Sequence, residues 1–153
     1  MRELAQAEMP LARGETTLGA VLPDLRSRFS TLVVTVSGDD VVVGLPEEAL
    51  DIVLGHLAEN SVKHGAKQLT LTAVQQEGRA LLKVTDDGSG VSQGNRDRIF
   101  QPFFTTRRAS GGTGMGLDIV RAMLEAHDAR IALLPPEQGA SFEIQARGPS
   151  AAN

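Results

Sequence analysis

In "PEEALDIVLGHLAENSVKHG", residues 46–65, Leu50, Val53, Leu54 and Leu57 fall three or four positions apart along one face, and Val62 adds to the apolar set. That spacing predicts an amphipathic helix. Pro46 followed by Glu47 and Glu48 suits its N-terminus, and Gly65 suits a C-cap. About twenty helical residues would span roughly 30 Å. A second helix is predicted over "TTLGAVLPDLRSRF", with Leu18, Val21, Leu22, Leu25 and Phe29 near helical spacing. Pro23 either sits in its first turn or kinks it. "GLDIVRAMLEAH" predicts a third.

Other stretches follow a period of two or are rich in β-branched residues. "TLVVTVS" and "VVVG" read as strands around the turn "GDD". "QLTLTAV" and "ALLKVTD" alternate and are joined by a turn at "QEGR", and "RIALLPP" and "ASFEIQA" close the chain. Between Asp86 and about Gly114 the periodicity stops, apart from a short helical piece around "RDRIF". A loop of that length inside a compact domain is usually functional. Helices and strands mix without strict alternation, which favours an α+β layered sandwich over a doubly wound parallel sheet.

Composition narrows the chemistry. With 153 residues and 41% hydrophobic content, the chain suits one domain with a real core. The net charge of −4 comes from interspersed acids and bases, so no basic stripe points to nucleic acid. The sequence contains no cysteine, which excludes disulfides, thiol nucleophiles and thiolate metal sites. His56, His64 and His127 are too far apart to suggest zinc. No apolar run reaches membrane-spanning length and the N-terminus is too charged for a signal peptide. The expectation is a soluble chain in a reducing compartment.

Four groups could do chemistry. On the long helix, His56, Asn60, Lys63 and His64 share one face. An amide carbonyl there can ligate Mg²⁺, which prefers oxygen, and an ammonium can meet phosphate. In "KVTDDGSGV", two carboxylates close a strand and glycines follow. A carboxylate accepts hydrogen bonds only, so it can read an exocyclic amine such as that of adenine. "SGGTGMGLDIV" runs glycines into a helix start, a place favourable to anions, yet it fits neither the Walker loop nor the dinucleotide fingerprint. "RIFQPFFTTRR" holds Phe100, Phe103 and Phe104, an apolar anchor for a lid. Arg107 and Arg108 follow, within reach of phosphate.

The order of these groups carries more than any one of them. Asn-x-x-Lys-His, then Asp-x-Gly-x-Gly, then a Phe-rich lid, then Gly-Thr-Gly-x-Gly-Leu closely resembles the catalytic ATP-binding domain of bacterial sensor histidine kinases, over essentially the whole chain. The wider superfamily includes DNA gyrase, heat-shock chaperone ATPases and mismatch-repair ATPases. The resemblance implies the Bergerat fold, a two-layer α/β sandwich whose mixed, mostly antiparallel sheet is covered on one face by helices. It implies ATP and Mg²⁺ as cofactors. Asn60 would ligate the metal, Lys63 and His64 would contact phosphates or ribose, and Asp86 would accept from the adenine amine. Gly88 and Gly90 would shape the pocket floor. Arg107 and Arg108, with Gly112, Thr113, Gly114, Gly116 and Leu117, would surround the phosphates. Ser141 would support Asp86 through water. Asn60, Lys63 and Arg107 are the candidates for catalysis.

The same resemblance implies the organisation. Residues 1–13 look like the end of a dimerisation helix and a linker, residues 14–147 the catalytic domain, and residues 148–153 a disordered tail. The phosphoacceptor His would sit on a dimerisation domain absent from this chain, in a cytoplasmic, homodimeric kinase that serves a response regulator, with or without an inner-membrane anchor. The isolated domain would be a monomer that touches neither nucleic acid nor membrane. Two departures stand out. Asp128 replaces a usual Gly at a helix end needing positive φ, which Asp tolerates. His56 stands where gyrase-like relatives carry a Glu base, which favours phosphoryl transfer over hydrolysis. The alternatives are a free-standing anti-sigma-factor serine kinase and a nucleotide-binding module without kinase activity.

Overall fold

The computed structural model describes residues 14–88, 117–134 and 140–148. The predicted piece around "RDRIF", the Phe-rich lid, and Gly90, Arg107, Arg108, Gly112, Thr113, Gly114 and Gly116 lie outside the described residues. So do residues 1–13.

The order of elements is β1 (Thr16–Thr17), α1 (Leu18–Arg28), β2 (Val33–Ser37), β3 (Val42–Val43), α2 (Glu47–Lys63), β4 (Gln68–Gln76), β5 (Arg79–Asp86), α3 (Leu117–Glu125), β6 (Arg130–Leu133) and β7 (Ser141–Arg147). The main sheet runs β2-β4-β5-β7-β6, and β1 pairs with β3 in a separate two-stranded sheet. Among the described strands only the β2–β4 pair is parallel. Alternate residues of the central strands (Leu69 and Leu71, Leu82 and Val84, Phe142 and Ile144) enter one core with buried residues of all three helices. Their neighbours Thr70 and Lys83 face outward and are exposed. The result is the expected α+β two-layer sandwich, with helices on one face of a mixed sheet.

The local chemistry explains most boundaries. Thr17 caps α1, its hydroxyl accepting from the Ala20 N–H at 3.2 Å. Pro23 lies in the sixth position of that helix, past the first turn, where it removes one intrahelical donor. In the β4–β5 hairpin, Glu77 and Gly78 both adopt positive φ (54° and 79°), the pattern of a two-residue turn whose twist matches the strands.

α2 ends by a double bond back onto itself. The Gly65 N–H donates to Val62 C=O at 3.0 Å and the Ala66 N–H to Ser61 C=O at 2.9 Å. Gly65 takes φ +81°. This Schellman arrangement satisfies carbonyls that a helix end leaves open. α3 ends the same way: Asp128 N–H donates to Glu125 C=O and Ala129 N–H to Leu124 C=O. Asp128 has φ +61°, the left-handed conformation expected of it.

Four expectations need correction. β2 and β3 do not form a hairpin around "GDD". β2 joins β4 in parallel, and β3 joins β1. The crossover through α2 buries one edge of β2 in a larger sheet, which a two-residue β3 could not supply. Val62 belongs to the exposed side of α2, not to its apolar face. Thr16 is a strand residue, so α1 starts two positions later than its pattern suggests. Order also extends past residue 147, since the Gly148 N–H donates to Gly78 C=O at 3.0 Å.

Thr16 also carries a cost. It is fully buried, and its hydroxyl finds no hydrogen-bond partner among the described residues. Thr16→Val keeps the shape and removes the orphaned group, so it should raise unfolding free energy by about 1 kcal/mol. Urea unfolding of the two chains measures this, and an unchanged or lower midpoint would contradict it.

Candidate functional site

The "DD" pair at the end of β5 splits into two roles. A strand alternates its side chains between faces, so Asp86 points toward the helices and Asp87 away. Asp86 is 6% exposed. Its Oδ1 accepts from the Gly88 N–H at 2.9 Å and the Ala140 N–H at 3.1 Å. Its Oδ2 lies 2.6 Å from Ser61 Oγ on α2. A carboxylate offers about four acceptor positions, and three are taken. Among the described residues one remains open on Oδ2, near the end of the helix that carries Asn60 and Lys63 and is capped by His64.

Asp87 is exposed and structural. Its Oδ1 accepts from the Lys67 N–H at 2.8 Å and the Gln68 N–H at 3.0 Å, tying the start of β4 to the end of β5. The Gln68 and Lys67 N–H groups hold its carboxyl below the usual carboxylate range. A depressed folded-state pKa contributes stability above the unfolded value, near 3.9, that is lost as pH falls through the folded value. Asp87→Asn should therefore lower the melting temperature at pH 7, and the gap from the parent should narrow below about pH 4. Melting curves at the two pH values check the sign, and a gap that widens in acid would refute it.

Glycine at 88 is required by a close approach. A Cβ there would stand 2.7 Å from the His64 carbonyl oxygen, so β5's exit loop packs directly onto the cap of α2. That cap positions the rest. Asn60 and His64 are half-buried and Lys63 is exposed, with Lys63 Nζ 4.0 Å from Glu59 Oε2. His64 is the C-cap, outside the last helical turn. His56 lies half-buried one turn before Asn60. Leu117 opens α3 and packs partly against the core. Beside it, Asp118 Oδ1 is buried without a hydrogen-bond partner among the described residues.

Ser141 follows Ala140, whose N–H reaches Asp86. It pairs across the sheet with Thr85, their hydroxyls 2.9 Å apart. Thr85 and Asp86 project to opposite faces, so Ser141 supports Thr85. Among the described residues, Asp86 accepts from the Gly88 and Ala140 N–H groups and from Ser61. Ser61 was missed in the sequence, although a polar residue in the apolar register of Leu50, Leu54 and Leu57 signals a buried group in need of a partner.

Residues 46–149 match the family described as histidine kinase-, DNA gyrase B-, and HSP90-like ATPase. The chain belongs to this ATPase family. Among similar proteins, the alginate biosynthesis sensor protein KinB of Pseudomonas aeruginosa is 36% identical over 96 residues, 61% of this chain and 16% of that protein. The sensor histidine kinase ZraS of Salmonella typhi is 32% identical over 132 residues, 84% of this chain and 28% of that protein. The solved structure of full-length ShkA in complex with AMPPNP superposes with a TM-score of 0.75 at 27% identity, covering 95% of this chain and 33% of that one. The chain thus spans less than a third of the length of these relatives. Among its described residues, no helix of this ATPase domain is long and apolar enough to cross a membrane.

Proposed function

We propose that this ATPase domain is the catalytic part of a sensor histidine kinase. It binds Mg-ATP and donates the γ-phosphoryl group to a His on a separate dimerisation and phosphoacceptor domain of a homodimeric kinase, which in turn serves a response regulator. The observation that carries the reading is the buried Asp86 carboxylate, with one acceptor position left open beside the Asn60–Lys63–His64 end of α2.

The chemistry of the donors fits Mg²⁺. Among the described residues no group of three His, Asp or Glu side chains could hold a metal by itself. A metal here would depend on nucleotide phosphate oxygens together with the Asn60 carbonyl, the way Mg²⁺ is commonly held. When bound, it would neutralise charge on those oxygens. The chain's own part is positioning. Asp86 would fix the base, and the resemblance assigns Gly88 and Gly90 to the pocket floor. By the resemblance to the kinase motifs, Lys63 and His64 would meet phosphate or ribose, and Arg107, Arg108, Gly112, Thr113, Gly114, Gly116 and Leu117 would surround the phosphates. His56 replaces a carboxylate base one turn before Asn60, which favours transfer over hydrolysis.

Incubation with radiolabelled ATP tests this. The chain alone should retain no covalent label, because docking supplies the effective concentration that phosphoryl transfer needs. Adding the dimerisation domain, in cis or in trans, should give acid-labile label on that domain. Label on His56, His64 or His127 would overturn the reading. Acid-stable label on a partner Ser would favour the anti-sigma-factor alternative.

A further inference from the structure

Ser61 stands outside the motifs from which the site is read, yet among the described residues its hydroxyl makes the shortest contact to the buried carboxylate. It is 3% exposed. Its Oγ lies 2.6 Å from Asp86 Oδ2 and 3.0 Å from the Leu57 carbonyl oxygen. A serine hydroxyl carries one proton, so it cannot donate fully to both acceptors. With Asp86 ionised, the charged acceptor takes the proton, because bonds to ionised groups are shorter and stronger.

We infer that Ser61 is a positioning residue that makes the site selective for a 6-aminopurine over a 6-oxopurine nucleotide. This rests on the reading of Asp86 as the group that meets the base. Oδ1 is fixed by the Gly88 and Ala140 N–H groups. Ser61 fixes Oδ2 from the helix side, so the carboxylate cannot turn and the acceptor position left on Oδ2 is held in one direction. A 6-amino group donates into it. A 6-oxo group brings a second acceptor against it and is repelled. Without the hydroxyl, Oδ2 is free to turn or to take a water, and that water can donate to a 6-oxo group. The backbone of Ser61 is itself held, since its carbonyl accepts from Ala66 N–H at 2.9 Å and His64 N–H at 3.1 Å. The competing role is purely structural: a buried helical Ser bonding back to the carbonyl four residues earlier. That role would affect stability and leave base preference alone.

Calorimetric titration of ADP and IDP separates the two, using the parent chain, Ser61→Ala, Asp86→Asn and the double variant, each with a melting curve. The parent should prefer ADP. Ser61→Ala should shrink the ADP-to-IDP preference roughly tenfold, the size of one hydrogen bond to a charged group. In the Asp86→Asn background the same change should move the preference by less than about twofold, since the two residues act as a unit. Ser61→Cys keeps the shape with a weaker donor, so it should fall between, and it serves if Ser61→Ala does not fold. An unchanged preference in Ser61→Ala or Ser61→Cys, whatever happens to melting, overturns the role of Ser61 alone. A parent without the preference, or an Asp86→Asn chain that keeps it, removes the reading of Asp86 and this inference with it.

Discussion

Asp86→Asn should weaken ADP binding by roughly ten- to a hundredfold, the loss of a hydrogen bond to a charged acceptor, and should leave the fold standing. The neighbouring geometry explains both halves. The new amide can turn its oxygen toward the Gly88 and Ala140 N–H groups, which lie 2.9 and 3.1 Å from Oδ1. Its NH₂ then faces Ser61 Oγ, which can accept because the Leu57 carbonyl, 3.0 Å away, offers its proton another destination. No buried polar group is stranded, so the melting temperature should change little. The same rearrangement is what harms binding: an NH₂ now occupies the position where an adenine amine would donate. Calorimetry with ADP, beside a melting curve, measures the two effects separately. Equal affinity in parent and variant would remove Asp86 from the base-binding role.

Asn60→Ala should lower phosphotransfer by at least about a hundredfold, near 3 kcal/mol of transition-state stabilisation, with unfolding free energy changed by less than about 1 kcal/mol. Asn60 is half-buried on the polar side of α2, while Leu50, Leu54 and Leu57 on the other side form the core. Truncation therefore opens no core cavity. Its carbonyl is the oxygen ligand on that face best suited to Mg²⁺. The assay needs the phosphoacceptor domain restored and ATP with Mg²⁺ in excess. Near-normal transfer would place the metal elsewhere.

What the sequence revealed was local. The hairpin turn at Glu77 and Gly78, the left-handed caps at Gly65 and Asp128 and the acidic start of α2 each depend on a few adjacent residues, and each lies where its pattern predicts. Pairing was less legible. "TLVVTVS" and "VVVG" look like hairpin partners because a turn separates them, but β2 gains a longer edge by crossing over α2 to β4, and nothing in a two-residue window encodes that choice. The site divides the same way. Asp86 and Asn60 announce themselves through motifs. Ser61 and the Ala140 N–H do not, because one looks like an ordinary helix residue and the other is backbone. Ser141 came from the resemblance alone, and its direct partner, the Thr85 hydroxyl, depends on the β5–β7 register, which no local motif carries.

Two of the three anchors of Asp86 come from distant parts of the chain, and the third, the Gly88 N–H, from the next turn. Ser61 is 25 residues away along the sequence and Ala140 is 54 residues away. The β4–β5 hairpin can close early, since its strands are joined by two residues, but the carboxylate stays unsupported until α2 has crossed the sheet and β7 has docked against β5. High sequence separation makes such contacts late and slow to form. The group proposed to read the base is therefore complete only when α2, β5 and β7 are all in place. A nucleotide held there is coupled to the global unfolding equilibrium, stabilising the whole domain by about 2.7 kcal/mol at a hundred times its dissociation constant.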